Sequence, residues 1–213
     1  MRTVLYLLLL VFIACGQQKR YHSTDETVAD VKSEKLKSIF LFQDDLNKEY
    51  KNPDTSPLPD RYRKNFEKHD FFEPDTSYVV KARFERTPDA VPFLMSTTTN
   101  EKNVEVIYGI AYFQLNGLKH KLEIYQSPDL IQQEKYKNYL FLPFLDDTNG
   151  EETYGGGRYV DLTISKGDTI IIDFNKAYNP YCVYNKKYSC PLVPRQNYLK
   201  TRVMAGVKDF IKK

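Results

Sequence analysis

The chain has 213 residues, 31 basic and 28 acidic, with a formal net charge of +3 at pH 7. That balance argues against a nucleic-acid binder, which needs a concentrated basic face where this chain offers pairs such as Lys186-Lys187 and Lys212-Lys213. His22, His69 and His120 show no ligand spacing, and the sequence has no Gly-x-Ser-x-Gly, no His-Glu-x-x-His and no cysteine flanked by a histidine, so a zinc site or nucleophilic catalysis finds little support.

Met1-Arg2-Thr3 opens the chain and an apolar run follows from Val4 to Ala14. As a helix that run spans only ~16 Å, about half the ~30 Å core of a bilayer, which suits the apolar core of a secretory signal and not a membrane span. It ends in Phe12-Ile13-Ala14-Cys15-Gly16, which resembles the lipobox of bacterial lipoproteins, with Phe12 where leucine is usual. The resemblance implies cleavage after residue 14, diacylglycerol on Cys15, and a membrane-anchored envelope protein on the periplasmic or outer-membrane side. Residues 15–30 contain almost nothing apolar and read as a flexible tether. Residues 31–213 are long enough for a single domain with its own core.

From Val31 to Tyr50, Leu36, Ile39, Phe40, Phe42 and Leu46 fall mostly at spacings of three and four, an amphipathic helix stopped by Asn52-Pro53. Ser56-Pro57-Leu58-Pro59 introduces a second, short helix through Phe66. Ser77–Arg86 alternates wet and dry positions as a strand. Val104–Leu115 and Leu118–Gln126 flank Asn116-Gly117, which supplies the positive φ angles of a type I′ hairpin. Tyr139–Leu145, Tyr159–Ser165 and Thr169–Phe174 read as three more strands, with Lys166-Gly167-Asp168 turning between the last two. Val203–Phe210 adds an edge strand or folds over one. The fold class is therefore mainly β: an antiparallel sheet, barrel- or sandwich-like, with two N-terminal helices packed on it. Cys182 and Cys190, separated by seven residues, are expected to form a disulfide in an oxidising compartment, with free thiols as the alternative.

Residues 139–194 carry the most distinctive motifs: Phe141-Leu142-Pro143-Phe144, then Glu152-Thr153-Tyr154-Gly155-Gly156-Gly157-Arg158-Tyr159, then Asp173-Phe174-Asn175-Lys176-Ala177-Tyr178-Asn179-Pro180-Tyr181-Cys182, then Cys190-Pro191. They resemble a family of bacterial and archaeal proteins catalogued as domain of unknown function DUF1684. The likeness extends upstream through Ser56-Pro57-Leu58, Phe71-Phe72-x-Pro74 and Ala82-Arg83-Phe84, from about residue 36 to 206. Val193-Pro194-Arg195-Gln196-Asn197 departs from the family's proline run followed by Glu-Asn. The resemblance implies envelope or secreted members and no established activity.

Gly155-Gly156-Gly157-Arg158 suits either an anion-binding nest or a glycine-permitted turn before a strand. Asp146-Asp147-Thr148-Asn149-Gly150 lacks the ligand spacing of a calcium loop and reads as a hairpin turn. Of the carboxylates Asp146, Asp147, Glu151, Glu152, Asp161 and Asp173, only Asp173 joins the preferred set of Tyr154, Arg158, Asp173, Asn175, Tyr178 and Asn179. These form a candidate ligand-binding site, or a buried polar network fixing the cysteine loop. The leading expectation is a non-enzymatic envelope lipoprotein binding a small ligand, glycan or partner protein, without nucleic acid, metal or cofactor. The alternative is a hydrolase-type enzyme using Arg158, Asp173 and Tyr178.

Overall fold

The computed structural model describes residues 28–210. The expected signal peptide, Cys15 and most of the expected tether lie outside the described residues. Helix α1 spans Val28–Lys51, so the last three residues assigned to the tether are already helical. Asp30 in its first turn and Lys48 and Lys51 in its last complement the helix dipole. Ile39 and Tyr50 are fully buried, with Phe42 and Leu46 half-buried along the same stripe. Phe40, expected in that stripe, is instead exposed. Three side chains of α1 tie it to the body: Ser38 Oγ meets Lys176 Nζ at 2.7 Å, Glu49 Oε1 accepts from Tyr181 Oη at 2.7 Å, and Asn47 Oδ1 accepts from His69 N at 2.8 Å.

The second expected helix shrinks to α2, a single turn at Asp60–Arg63. Pro57 and Pro59 forbid helical hydrogen bonds before it, and beyond it the bonds tighten to the three-residue spacing of Asn65 N to Tyr62 O and Phe66 N to Arg63 O.

Eight strands follow: β1 (Val79–Arg86), β2 (Phe93–Ser96), β3 (Lys102–Leu115), β4 (Leu118–Gln126), β5 (Tyr139–Asp146), β6 (Arg158–Thr163), β7 (Thr169–Asp173) and β8 (Tyr198–Leu199). The sheet order is β6-β5-β4-β3-β1-β7, with β2 added to β3 and β8 parallel to β5; the other pairings are antiparallel. Asn116 (φ 51°) and Gly117 (φ 77°) close the β3–β4 hairpin with the expected positive angles. β6 and β7 lie at opposite ends of this order, yet only five residues connect them. A flat sheet would hold them ~24 Å apart, while five residues bridge ~20 Å at full stretch. The sheet therefore curls into a half-barrel.

Alternation divides the side chains between two faces. Val80, Ala82, Leu122, Ile124, Leu140, Leu142, Phe144, Val160, Ile170 and Ile172 fill the interior of the curl. Tyr125, Phe141 and Tyr159, with Met95 from β2, form a second apolar layer on the other face. The tail 203–210 is neither a strand nor an edge: Val203, Ala205 and Val207 are buried across one end of the curl, touching strand geometry only at the Phe71–Val207 bridge. Gly206 permits this path at φ 79°, since a Cβ there would meet Phe174 O at 2.7 Å.

Candidate functional site

The outer face of β3, β5 and β6 floors a cavity of about 410 Å³. On β5, Tyr139 and Phe141 have the parity opposite to the core residues Leu140 and Leu142; on β6, Tyr159 and Asp161 are opposite to Val160 and Leu162. β3 reaches the same face by a bulge. Ile107 pairs with Tyr125 and Gly109 with Ile124, leaving Tyr108 as the extra residue. Beyond the bulge the odd-numbered Ala111, Phe113 and Leu115 face the core; before it the odd-numbered Glu105 and Ile107 face outward. Phe42, Leu46 and Glu49 of α1 and Leu130 of the β4–β5 connection stand over the cavity, and Tyr181, Tyr188 and Pro191 complete its rim.

The aromatic rings meet at steep angles. Phe141 and Tyr159 lie 4.8 Å apart at 79°, and Tyr159 and Tyr178 lie 5.9 Å apart at 90°. Tyr178 is held by its backbone, exchanging two 2.9 Å hydrogen bonds with Tyr159, and the Tyr159 hydroxyl donates to Pro191 O.

Three carboxylates line the cavity, Glu49, Glu105 and Asp161, and no lysine, arginine or histidine does. Asp161 Oδ1 accepts from the hydroxyls of Tyr139 (2.7 Å) and Tyr178 (2.6 Å). Its carboxyl is open to water inside the cleft while protein crowds it on most sides. Burial raises its pKa, and the two tyrosine hydrogen bonds pull the other way. Glu105 is only 5% exposed and its Oε2 has no hydrogen-bond partner. Burial first, and the charge of Asp129 second, push its carboxyl up to about 7.

The six candidate residues, read as a site or a buried polar network, do not share this cavity. Arg158 is fully buried, its Nη2 3.0 Å from Asp146 Oδ1 and 2.9 Å from Val203 O, and its Nη1 bonded to Ala205 O and, at 3.3 Å, to Val207 O. It points into the curl and pins the tail. The Gly155–Gly157 run is the tight turn that precedes it: Gly157 sits at φ 90°, where a Cβ would meet Phe144 O at 2.6 Å. Asp146, expected in a hairpin turn, ends β5 and accepts from Thr148 Oγ1 (2.7 Å) and Val203 N (2.8 Å) through its other oxygen.

Asp173 caps the turn after β7 through Asn175 N (3.1 Å), and Asn175 is stapled to both backbone atoms of Asp75 at 2.9 Å. Asn179 donates to Lys208 O at 2.9 Å. Tyr154 lies beside Cys182 and Cys190, half-buried. Tyr178 alone of the six lines the cavity.

The expected disulfide is absent: Cys182 and Cys190 are free thiols. The sulfur of Cys190 instead accepts a 3.1 Å hydrogen bond from Cys182 N, the first turn of α3 (Tyr181–Tyr184). The hydrogen bond between the two thiols favours the thiolate of Cys182 and raises Cys190.

Glu105, Tyr139 and Glu49 were not legible as site residues. Glu105 sits between Val104 and Val106 and reads as the wet face of an ordinary strand; only the bulge turns that face into a covered cleft. Among the described residues no group of three His, Cys, Asp or Glu side chains is placed to hold a metal ion, and no helix is long and apolar enough to cross a membrane.

The family model DUF1684, described as a protein of unknown function, matches residues 64–208. The chain is also similar to an uncharacterised protein of Haloarcula marismortui solved by solution NMR, at 30% identity and a TM-score of 0.66, over 84% of this chain and 97% of that one. No curated protein matches.

Proposed function

The chain belongs to the DUF1684 family, and since that family carries no assigned activity we propose a function from the chain's own residues: a non-enzymatic binding module of the cell envelope, lipid-anchored at Cys15, that takes a small ligand in the cleft over β5 and β6. The observation that carries the binding reading is the cavity of about 410 Å³, walled by tyrosine and phenylalanine rings, with Glu105 buried against it and unpartnered. Pockets of this size with a few convergent polar groups are the usual form of small-molecule sites. The envelope reading rests on the apolar run 4–14 and the lipobox-like 12–16 segment.

The hydrolase reading loses its support because Arg158 and Asp173 are committed to internal hydrogen bonds. Two measurements test the binding reading. Native mass spectrometry of the purified full chain should show a co-purifying small molecule, or binding of one added from a small-metabolite panel, which Asp161→Asn weakens while the unfolding midpoint stays within ~2 °C. A wild-type chain that retains and binds nothing across the panel would sink it. For the anchor, metabolic labelling with a fatty acid should vanish in Cys15→Ser; label that persists rules acylation at that residue out.

A further inference from the structure

Resting on the cleft-binding reading above, we propose that the ligand is a small organic ammonium ion, its charge met by Glu105 and Asp161 and its carbon substituents lying against the rings of Phe141, Tyr159 and Tyr178.

Charge is the first argument. The cavity presents three carboxylates and not one cationic side chain. An anionic ligand would enter with its charges opposed, and every hydrogen bond it needed would have to come from uncharged donors: hydroxyls, the Asn103 amide or backbone. Glu49 and Asp161 already accept hydrogen bonds from tyrosine hydroxyls. Glu105 does not: it is 5% exposed, its Oε2 has no partner, and the charge that acts on it is that of another acid, Asp129. A buried carboxylate without a counter-charge is costly, and it is the group whose state a bound cation would change most. A neutral polyol would satisfy its hydrogen-bonding capacity but leave its charge uncompensated.

The rings are the second argument, independent of the first. Phe141, Tyr159 and Tyr178 stand at 79° and 90° to their neighbours, so at least two differently oriented ring surfaces border the space. Mutually steep aromatic walls suit the charge-diffuse shell of an alkylated ammonium, which gains cation–π attraction from each face it touches. The volume, about 410 Å³, limits the guest to a small molecule.

Binding is then linked to protons. The groups facing Glu105 are Asp129 on the β4–β5 connection, Tyr125 on β4 and Tyr139 on β5, with Asp161 on β6 and Glu49 on α1 across the cavity. None is a cation. A bound ammonium would lower the Glu105 pKa from about 7 and release a proton there. Affinity should therefore be full above neutrality and decline as pH falls below about 7.

Calorimetric titration of the full chain with choline, with its neutral carbon isostere and with glucose decides the matter. Choline should bind at least about tenfold more tightly than the isostere near pH 8, with net proton release in buffers of different ionisation enthalpy near pH 7. Glu105→Gln should bind choline about tenfold more weakly near pH 8 and lose the decline centred near pH 7, converging with wild type near pH 5. Asp161→Asn, whose side chain keeps its shape, supplies a second charge deletion should Glu105→Gln not fold. Isostere or glucose binding as tightly as choline overturns the cation assignment and leaves a binding cleft standing. Three inert probes, together with a panel that yields no binder, overturn the cleft itself.

Discussion

A guanidinium removed from water is tolerated only where acceptors surround it and a counter-charge lies close. Arg158 meets both conditions: the Asp146 carboxylate at 3.0 Å and three carbonyls of the tail, those of Val203, Ala205 and Val207. Only its Nε lacks a partner. Removing either charge strands the other in the interior. Arg158→Ala and Asp146→Asn should each lower stability by ~3–5 kcal/mol, with the double variant losing much less than the sum. Urea unfolding measures both. A loss under ~1 kcal/mol for Arg158→Ala would mean the tail holds its place without the pin.

At the scale of elements, the bulge in β3 decides what the sheet presents to the cleft. Gly109 makes it possible, because a Cβ there would meet the Phe84 ring at 2.5 Å and Glu85 O at 2.6 Å. The ring can swing aside, but the backbone carbonyl of a paired strand has nowhere to go. Gly109→Ala should cost ~1–3 kcal/mol by overpacking, while Gly117→Asn in the open hairpin turn should be near neutral, since asparagine tolerates positive φ. Equal unfolding midpoints for the two would contradict this account. The same contrast explains what could be read beforehand. α1, the Asn116-Gly117 hairpin and the alternating strands depend on neighbours in sequence, so periodicity and turn chemistry expose them. β2 and β8, four and two residues long, exist only because β3 and β5 offer edges to pair with. Whether Arg158 met a ligand or a structural partner could not be read, because nothing local shows that residues 203–207 return to cover it. Nothing in the sequence singles out Glu105, because a one-residue insertion in register leaves no mark in the pattern.

For the whole molecule, two buried groups tie stability to pH with opposite signs. His69 is 5% exposed, packed on Tyr50 and Phe66, and burial lowers its pKa from 6.5 to about 3. The folded state refuses a proton that the unfolded chain accepts, so this contribution is intact above pH 6.5 and erodes as pH falls toward 3. Glu105 behaves inversely. Its folded pKa, raised from 4.5 to about 7, means that the native state keeps a proton the unfolded chain has lost, and stability falls as pH rises from 4.5 to 7. Asp161, also raised, acts in the same sense. Comparing Glu105→Gln with wild type cancels every contribution but one. The variant should match wild type below about pH 4.5, gain on it through pH 7, and hold a margin of ~2 kcal/mol above that, allowing for water in the cleft. Urea unfolding at several pH values yields the difference curve directly. A margin independent of pH would trace to packing and not to the carboxylate's charge. Adding choline should instead narrow the gap near pH 8 by stabilising wild type selectively, since only the ionised carboxylate gains the cation.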